Sequence, residues 1–165
     1  MPHRNGAPRR RDDGSRRGRE APLYAALDLG TNNCRLLIAR PARDGFRVVD
    51  SFSRIVRLGQ GLSASGALAD AAMDRAVDAL QHCAEKIARR GVASDRVSAV
   101  ATQACRMAGN GEAFLGRVRA ETGLQLRIIE PEEEAALAVA GCRNLLDPQA
   151  PAALIVDVGG GSTEL

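Results

Sequence analysis

The chain of 165 residues is long enough for one domain with a hydrophobic core, because 45% of its residues are hydrophobic and 26% are charged. Aromatic residues make up only 2%, which excludes a nucleic-acid surface built on stacked aromatic side chains. Residues 1–21 contain seven Arg and three acidic residues, a balance of +4, so the rest of the chain carries −1 of the net charge of +3. The rest of the chain therefore lacks the basic field of a nucleic-acid-binding protein, and no specific nucleic acid is expected as a partner.

The first elements in chain order are a tail and three strands. Residues 1–21 are rich in Arg, Gly and Pro and cannot bury apolar surface, so they are predicted to form a disordered tail. Strands are predicted at 23–28, 34–40 and 46–57, with tight connections that make the three strands an antiparallel meander. A Rossmann unit differs, because its first strand leads directly into a helix.

Strands and helices alternate in the middle of the chain. Apolar residues at three- and four-residue spacing predict a long amphipathic helix over 70–90, and a second helix over 112–122 ends at Gly123. Strands are predicted at 97–102 and 124–129. The alternation indicates an α/β fold in which these later strands pair in parallel and the helices pack on a mixed sheet.

The last third of the chain begins with a third helix, from Pro131 to about residue 145. Proline at the first helical position and the three glutamates at 132–134 are typical of a helix N-terminus, where acids complement the helix dipole. After a short linker, the apolar residues 154–156 are predicted as a buried strand that ends at Asp157.

Two segments share the order strand, aspartate, glycine and hydroxyl, and both are candidate phosphate-binding loops. Glycines allow backbone amides to converge on an anion, hydroxyl groups add donors, and an aspartate can hold a hydrated cation beside the phosphate. The first loop contains Asp28, Gly30, Thr31, Asn32 and Asn33, and the second contains Asp157, Gly159, Gly160, Gly161, Ser162 and Thr163.

The cysteine spacing and the hydropathy of the sequence indicate in which part of the cell the protein is expected. The four cysteines are widely spaced without a C-x-x-C pair, which favours reduced thiols and a cytoplasmic protein. No apolar run reaches the ~18 residues of a membrane span. No P-loop motif occurs, since the single lysine, Lys86, lies within the predicted long helix.

Four motifs in a fixed order carry a resemblance to a known family. They are Asp-Leu-Gly-Thr-Asn-Asn at 28–33, Ala-Thr-Gln-Ala-Cys-Arg at 101–106, Glu-Glu-Glu-Ala at 132–135 and Asp-Val-Gly-Gly-Gly-Ser-Thr-Glu at 157–164. Together they resemble the exopolyphosphatase and guanosine pentaphosphate phosphatase family (Ppx/GppA). The resemblance implies a ribonuclease H-like (actin-like ATPase) fold of two lobes facing each other across a cleft.

On this resemblance the chain is expected to be a fragment or a truncated product. Residues 22–147 would form the first lobe, and residues 152–165 would be the opening strand and phosphate loop of an incomplete second lobe. The longer protein would be a homodimer.

The resemblance also implies an activity, namely hydrolysis of the terminal phosphate of inorganic polyphosphate or guanosine pentaphosphate with the help of Mg²⁺. It assigns phosphate binding to both loops, metal binding to Asp157 and Asp28, and a phosphate contact to Arg106. It assigns Glu134 as the catalytic glutamate and places Glu164 near the metal and the attacking water.

Other functions remain open at this point. The shared loops also fit an actin-like kinase for a sugar or a carboxylic acid, and the chain alone also fits a phosphate- or nucleotide-binding lobe without turnover. Asp28 can alternatively be interpreted as a phosphorylated nucleophile. The sequence does not distinguish polyphosphate from guanosine pentaphosphate, because both present a terminal phosphoanhydride.

Overall fold

The computed structural model describes residues 21–43, 45–161 and 163–164, and at 144, 163 and 164 the description covers the backbone only. The prediction of a disordered tail falls on residues outside this description, apart from residue 21. Within the described residues, no helix is both long enough and apolar enough to cross a membrane.

A five-stranded mixed sheet forms the centre of the molecule, in the order β3-β2-β1-β4-β5. The first three strands are antiparallel, and β4 and β5 continue from β1 in parallel, which confirms the predicted meander and the parallel pairing of later strands. Their bounds are β1 (Tyr24–Leu29), β2 (Asn33–Ala42), β3 (Gly45–Ile55), β4 (Val97–Ala101) and β5 (Arg127–Ile128).

Helices connect the strands, and the two longest helices of the first 130 residues, α2 and α4, pack against each other. In α2 the apolar residues recur every three or four positions, so one stripe of the helix is buried. The left-handed Gly123 (φ 73°) ends α4 as predicted, because glycine has no Cβ to clash in that conformation. The helices are α1 (Leu62–Ser65), α2 (Asp70–Arg89), α3 (Gln103–Met107), α4 (Gly111–Thr122) and α5 (Pro131–Cys142), with 3₁₀ turns at Ser94–Arg96 and Arg143–Leu145.

The hydrophobic core fills one face of the sheet. Along β1, Ala25, Leu27 and Leu29 are buried while the alternate residues are not, as the two-residue period of a strand requires. These three side chains and the buried side chains of α2 and α4 form one hydrophobic cluster, in which Phe114 is the largest fully buried side chain. Full burial of one Leu, Ile, Val or Phe side chain in this cluster contributes about 1.5–3 kcal/mol to the stability of the fold. Asp28 has the other parity and lies on the opposite face of the sheet.

The structure corrects two predicted strands and contains two short helices, α1 and α3, that were not predicted. The strand predicted at 124–129 pairs only at Arg127–Ile128, because Leu124 packs into the core without joining a ladder. The segment after β4 contains the short helix α3, which was not predicted.

The predicted buried strand at 154–156 is wrong. These residues have no regular structure, and Leu154 is 76% exposed. Only β6 (Asp157–Val158) forms, and within the described residues it pairs solely with β7 (Thr163–Glu164). A hairpin with strands of only two residues offers no second layer against which the apolar side chains before Asp157 could be buried.

Candidate active site

The candidate site lies at the edge of the sheet where β1, β4 and β5 end. Since these strands are parallel, their carboxyl ends share one edge, which is where ligands bind in open α/β sheets. The amide of Thr102 donates to O of Leu29 at 3.2 Å, and the amide of Ile129 donates to O of Ala101 at 3.1 Å. The connections that follow the three strands therefore start side by side.

The first glycine loop is the turn between β1 and β2. The amide of Gly30 donates to O of Asn33 at 2.8 Å and closes the turn. The antiparallel register that follows places Arg35 directly opposite Asp28. A cation therefore lies beside the aspartate at the start of the loop.

The segment that follows β3 holds the first glycine loop in place. The amides of Val56 and Arg57 both donate to O of Asn32, at 2.8 and 3.0 Å, and the amide of Gly59 donates to O of Thr31 at 3.0 Å. A Cβ at Gly59 would overlap the Thr31 methyl group, so glycine allows this close approach without a shift of the loop or of the Thr31 side chain.

The second glycine loop follows β6 and packs directly on the first glycine loop and the start of α3. A Cβ added to Gly160 would overlap the side-chain amide of Asn32, and one added to Gly161 would overlap Oε1 of Gln103. The two glycine loops, far apart in sequence, thus lie against each other in the structure.

Charged and polar groups from both loops surround one small pocket of about 100 Å³, called here the acidic pocket. Its carboxylates come from three separate parts of the chain, and its one cation is an arginine on β2. The pocket is lined by Asp28, Gly30, Thr31, Asn32, Asn33, Arg35, Thr102, Glu134, Asp157, Val158, Gly159 and Gly160.

Burial raises the pKa of Asp28, the nearby Arg35 guanidinium lowers it, and the charge of Asp157 raises it further, so that the pKa lies above its usual value. Two carboxylates that repel each other in a partly buried pocket are a donor set suited to a divalent cation. Mg²⁺ commonly takes one or two protein carboxylates and completes its shell with water and phosphate oxygens. Asp28 and Asp157 fit that pattern, although no group of three or more potential metal ligands occurs among the described residues.

The three glutamates at the start of α5 have different surroundings. Glu133 forms an ion pair with Arg127, which lowers the pKa of Glu133, and Glu132 is exposed. Only Glu134 lines the acidic pocket. Its carboxylate oxygen Oε2 lies 3.5 Å from Nη1 of Arg106. Glu134 therefore has surroundings that its position in the first turn of the helix does not by itself explain.

Arg106 lies behind Glu134 and does not line the acidic pocket in this structure. The guanidinium group belongs to α3 and donates from Nη1 to O of Ile129 as well as toward Glu134. Both the Arg106 and Glu134 side chains are largely buried, at 16% and 17% exposed. The arrangement orients the glutamate.

The remaining predicted site residues belong to the second loop. Gly161 lies in a neighbouring cleft beside Gln103. Thr163 and Glu164 form β7, which lies against α5, but their side chains are outside the described part of the chain, as is Ser162 entirely. Their predicted roles stay predictions.

Sequence reasoning missed three residues of this region: Arg35, Thr102 and Gln103. Arg35 could have been found by counting the register of the hairpin, which pairs it with Asp28. Thr102 and Gln103 follow directly after β4, and their position at the carboxyl end of a parallel strand was the available signal.

The fold and the site define the class of this protein. An antiparallel meander continued by parallel strands, with a glycine turn at the carboxyl end of the first strand, is the fold of actin-like ATPases. A structure of the ethanolamine utilization protein EutJ from Carboxydothermus hydrogenoformans has the same fold, with a TM-score of 0.51 at 21% identity over 86% of this chain and 46% of that chain.

The family follows from a match of residues 37–165 to the model of the Ppx/GppA phosphatase family. The chain belongs to this family. A member from Aquifex aeolicus is 34% identical, with a TM-score of 0.75 over 86% of this chain and 45% of that one. An exopolyphosphatase from Cytophaga hutchinsonii is 28% identical, with a TM-score of 0.79 over 86% and 45%.

A third solved structure, described as an exopolyphosphatase-like protein, is 37% identical with a TM-score of 0.79 over 87% of this chain and 44% of its own. The present chain therefore spans less than half the length of the structures that it matches.

Proposed function

We propose that this protein hydrolyses the terminal phosphoanhydride of inorganic polyphosphate or of guanosine pentaphosphate. The observation that carries the proposal is the acidic pocket, in which two glycine loops and carboxylates from three chain segments meet. Membership of a phosphatase family and similarity to an exopolyphosphatase support it. A cytoplasmic location is part of the proposal, because the four cysteines are free thiols, as is usual in a reducing compartment.

The two loops would bind the terminal phosphate. Backbone amides at the glycines, together with the Thr31 hydroxyl and the side-chain amides of Asn32 and Asn33, are suitable donors to phosphate oxygens. Hydrolysis of a phosphoanhydride depends mainly on positioning and charge neutralisation, so such a cradle supplies much of what the reaction needs. Mg²⁺, held by Asp28 and Asp157, would offset phosphate charge.

Glu134 is the residue placed to act on water. Its carboxylate lines the acidic pocket and is oriented by Arg106, at 3.5 Å. In the proposed reaction Glu134 accepts a proton from a water molecule whose oxygen bonds to the terminal phosphorus. The bond from that phosphorus to the bridging oxygen breaks, and the shortened chain leaves with the electron pair.

The test is release of inorganic phosphate from long-chain polyphosphate with Mg²⁺, compared among the wild type, Glu134→Gln and Glu132→Gln. We expect Glu134→Gln to lower turnover by about 10²-fold or more while binding is retained. Glu132 lies in the same helical turn outside the pocket, so Glu132→Gln should keep full turnover. Equal turnover in all three proteins would exclude a catalytic role for Glu134.

A second candidate is a phosphate-binding unit without turnover. It is favoured by the position of Arg106, which donates to O of Ile129 and toward Glu134 and does not line the acidic pocket. Calorimetric titration with polyphosphate in parallel with the phosphate-release assay separates the two functions. Heat of binding without phosphate release supports the binding unit, and release supports the hydrolase.

A further inference from the structure

A second cleft adjoins the acidic pocket and has the opposite electrostatic character. It has a volume of about 540 Å³ and shares Thr31, Asn32, Asn33 and Gly160 with the acidic pocket. Its other lining residues are Ile55, Arg57, Gly59 and Gln60, so the described residues around it include an arginine and no acid. This space is called here the Arg57 cleft.

Arg57 has an unusual backbone conformation. Its φ of 49° makes it the one non-glycine residue with positive φ in the described part of the chain. For a residue with a Cβ this conformation is strained, and such strain often occurs at binding sites.

The strained backbone is fixed from both sides. The amide of Arg57 donates to O of Asn32 at 3.0 Å, and its O accepts from Nη2 of Arg75 at 3.4 Å. Arg75 also donates from Nε to O of Val56 at 3.0 Å and from Nη2 to Oε1 of Gln60 at 3.0 Å. These contacts attach the backbone of Arg57 to the first glycine loop, and Arg57 lines the cleft next to the site proposed for the terminal phosphate.

The two spaces differ in what they can accommodate. By the same measure, the acidic pocket, at about 100 Å³, has less than a fifth of the volume of the Arg57 cleft, at about 540 Å³, so it accommodates a much shorter part of a phosphate chain. Its carboxylates would repel a run of further phosphates. The Arg57 cleft is larger, borders the same loop as the acidic pocket, and offers an arginine and side-chain amides.

We propose that the Arg57 cleft binds the second and third phosphates of a phosphoanhydride chain whose terminal phosphate occupies the acidic pocket. The inference rests on the proposed function for the identity of the ligand. Arginine suits this role, because its guanidinium group can bind two phosphate oxygens at once. Since Arg57 is exposed, its attraction for the chain is screened by salt.

The test is isothermal titration calorimetry of the 165-residue chain with orthophosphate and with tripolyphosphate at low ionic strength. Arg57→Asn removes the charge but keeps a side chain that tolerates positive φ. It should weaken tripolyphosphate binding about tenfold, the size expected for loss of one charge-assisted contact, and change orthophosphate binding less than about twofold. Arg57→Lys should bind tripolyphosphate with an affinity between those of the wild type and Arg57→Asn, because lysine keeps the charge but not the two-oxygen contact.

Arg47→Asn is the matched control. Arg47 is an exposed arginine near the start of β3, whereas Arg57 follows the end of that strand. It lowers the net charge equally and should leave both affinities unchanged. Should Arg57→Asn fail to fold, as judged by its thermal melt, Arg57→Gly replaces it, since glycine adopts the left-handed conformation without strain.

Equal weakening of both ligands by the Arg57 substitution, or no weakening of either, would overturn the proposal. Because the measurement detects binding, its outcome is separate from that of hydrolysis. A length-selective loss in a protein that releases no phosphate leaves the Arg57 cleft supported and the proposed hydrolase rejected. If the wild type releases phosphate and Arg57→Asn binds tripolyphosphate with unchanged affinity, the proposed hydrolase is supported and the Arg57 cleft is rejected as a binding site.

Discussion

The two glycine loops of the acidic pocket are attached to the molecule in different ways. The first loop is bound by main-chain hydrogen bonds to the segment after β3, through O of Thr31 and O of Asn32. The second loop connects the two-residue strands β6 and β7 and contacts the first region of the site through Gly160, against Asn32, and Gly161, against Gln103. The first loop is thus part of the framework, and the second contacts that framework without joining its sheet.

This difference predicts that the two loops contribute differently to stability and to the proposed ligand binding. A loop that shares hydrogen bonds with the core sheet is preorganised, and a defect in its support should affect stability and ligand binding together. A loop held by surface packing can be displaced while the framework stays folded. Substitutions that separate stability from binding therefore test the comparison directly.

The largest effect is expected for Gly59→Ala. The added Cβ overlaps the Thr31 methyl group, and relief requires either a shift of the first loop or rotation of the Thr31 side chain. We expect a loss of about 1–3 kcal/mol in the free energy of unfolding, as for other overpacked sites, together with weaker tripolyphosphate binding. Urea denaturation and calorimetry measure the two effects.

The control for this change is Gly116→Ala in α4, where no atom lies within 4 Å of an added Cβ. Alanine favours a helix over glycine by roughly 0.5–1 kcal/mol, so the control should be neutral or slightly stabilising. If Gly59→Ala also leaves stability unchanged, the first loop is not supported by the segment after β3.

An intermediate effect is expected for Gly160→Ala. The new methyl group would push the second loop away from the Asn32 side chain, which should weaken tripolyphosphate binding about tenfold. The midpoint of urea unfolding should not change, because β6 pairs only with β7 among the described strands. A lowered midpoint would show that the second loop supports the framework after all.

Gly141→Ala is the matched control for the second loop. Gly141 lies near the end of α5 with no atom within 4 Å of an added Cβ, so neither binding nor stability should fall.

The smallest effect is expected for Asp50→Asn, which perturbs the framework away from both loops. Lys86 Nζ and Arg90 Nε donate to the Asp50 carboxylate at 2.7 and 2.9 Å, and these bonds lower the pKa of Asp50 to about 2. A lowered pKa in the folded state stabilises the fold above the usual value of 3.8. That contribution is lost as the pH falls from 3.8 to about 2.

Asp50→Asn should therefore unfold at lower urea concentration than the wild type at pH 7, and the difference should disappear near pH 2. Tripolyphosphate affinity should stay unchanged at pH 7. Glu85→Gln, at an exposed acid on α2, controls for the change of net charge. A destabilisation that is independent of pH would argue against the ion pair as its cause.

Much of the framework could be predicted from the sequence, because its periodic patterns reflect burial. The two-residue alternation in β1 and the three- and four-residue spacing in α2 are the direct consequences of packing on one face. The strand at 154–156 was mispredicted for the same reason, since apolar residues predict burial only where a second layer exists to cover them. Leu154 has none among the described residues.

The candidate site was less accessible to sequence reasoning. Its loops could be predicted because an aspartate and glycines that directly follow a strand are typical of a phosphate-binding turn. Arg35 and Gln103 were missed because their positions depend on register and on a five-residue helix, which carry no periodic signal. The left-handed conformation of Arg57 likewise has no counterpart in residue type, since arginine rarely adopts it.

The central claim is that both glycine loops bind one phosphate group together. The most direct measurement is a two-dimensional NMR titration of the 165-residue chain with tripolyphosphate, following the backbone amides of residues 30–33 and 159–161. We predict that both sets of resonances shift along one binding curve with a single dissociation constant. Shifts confined to residues 30–33, or two curves with different midpoints, would contradict the claim.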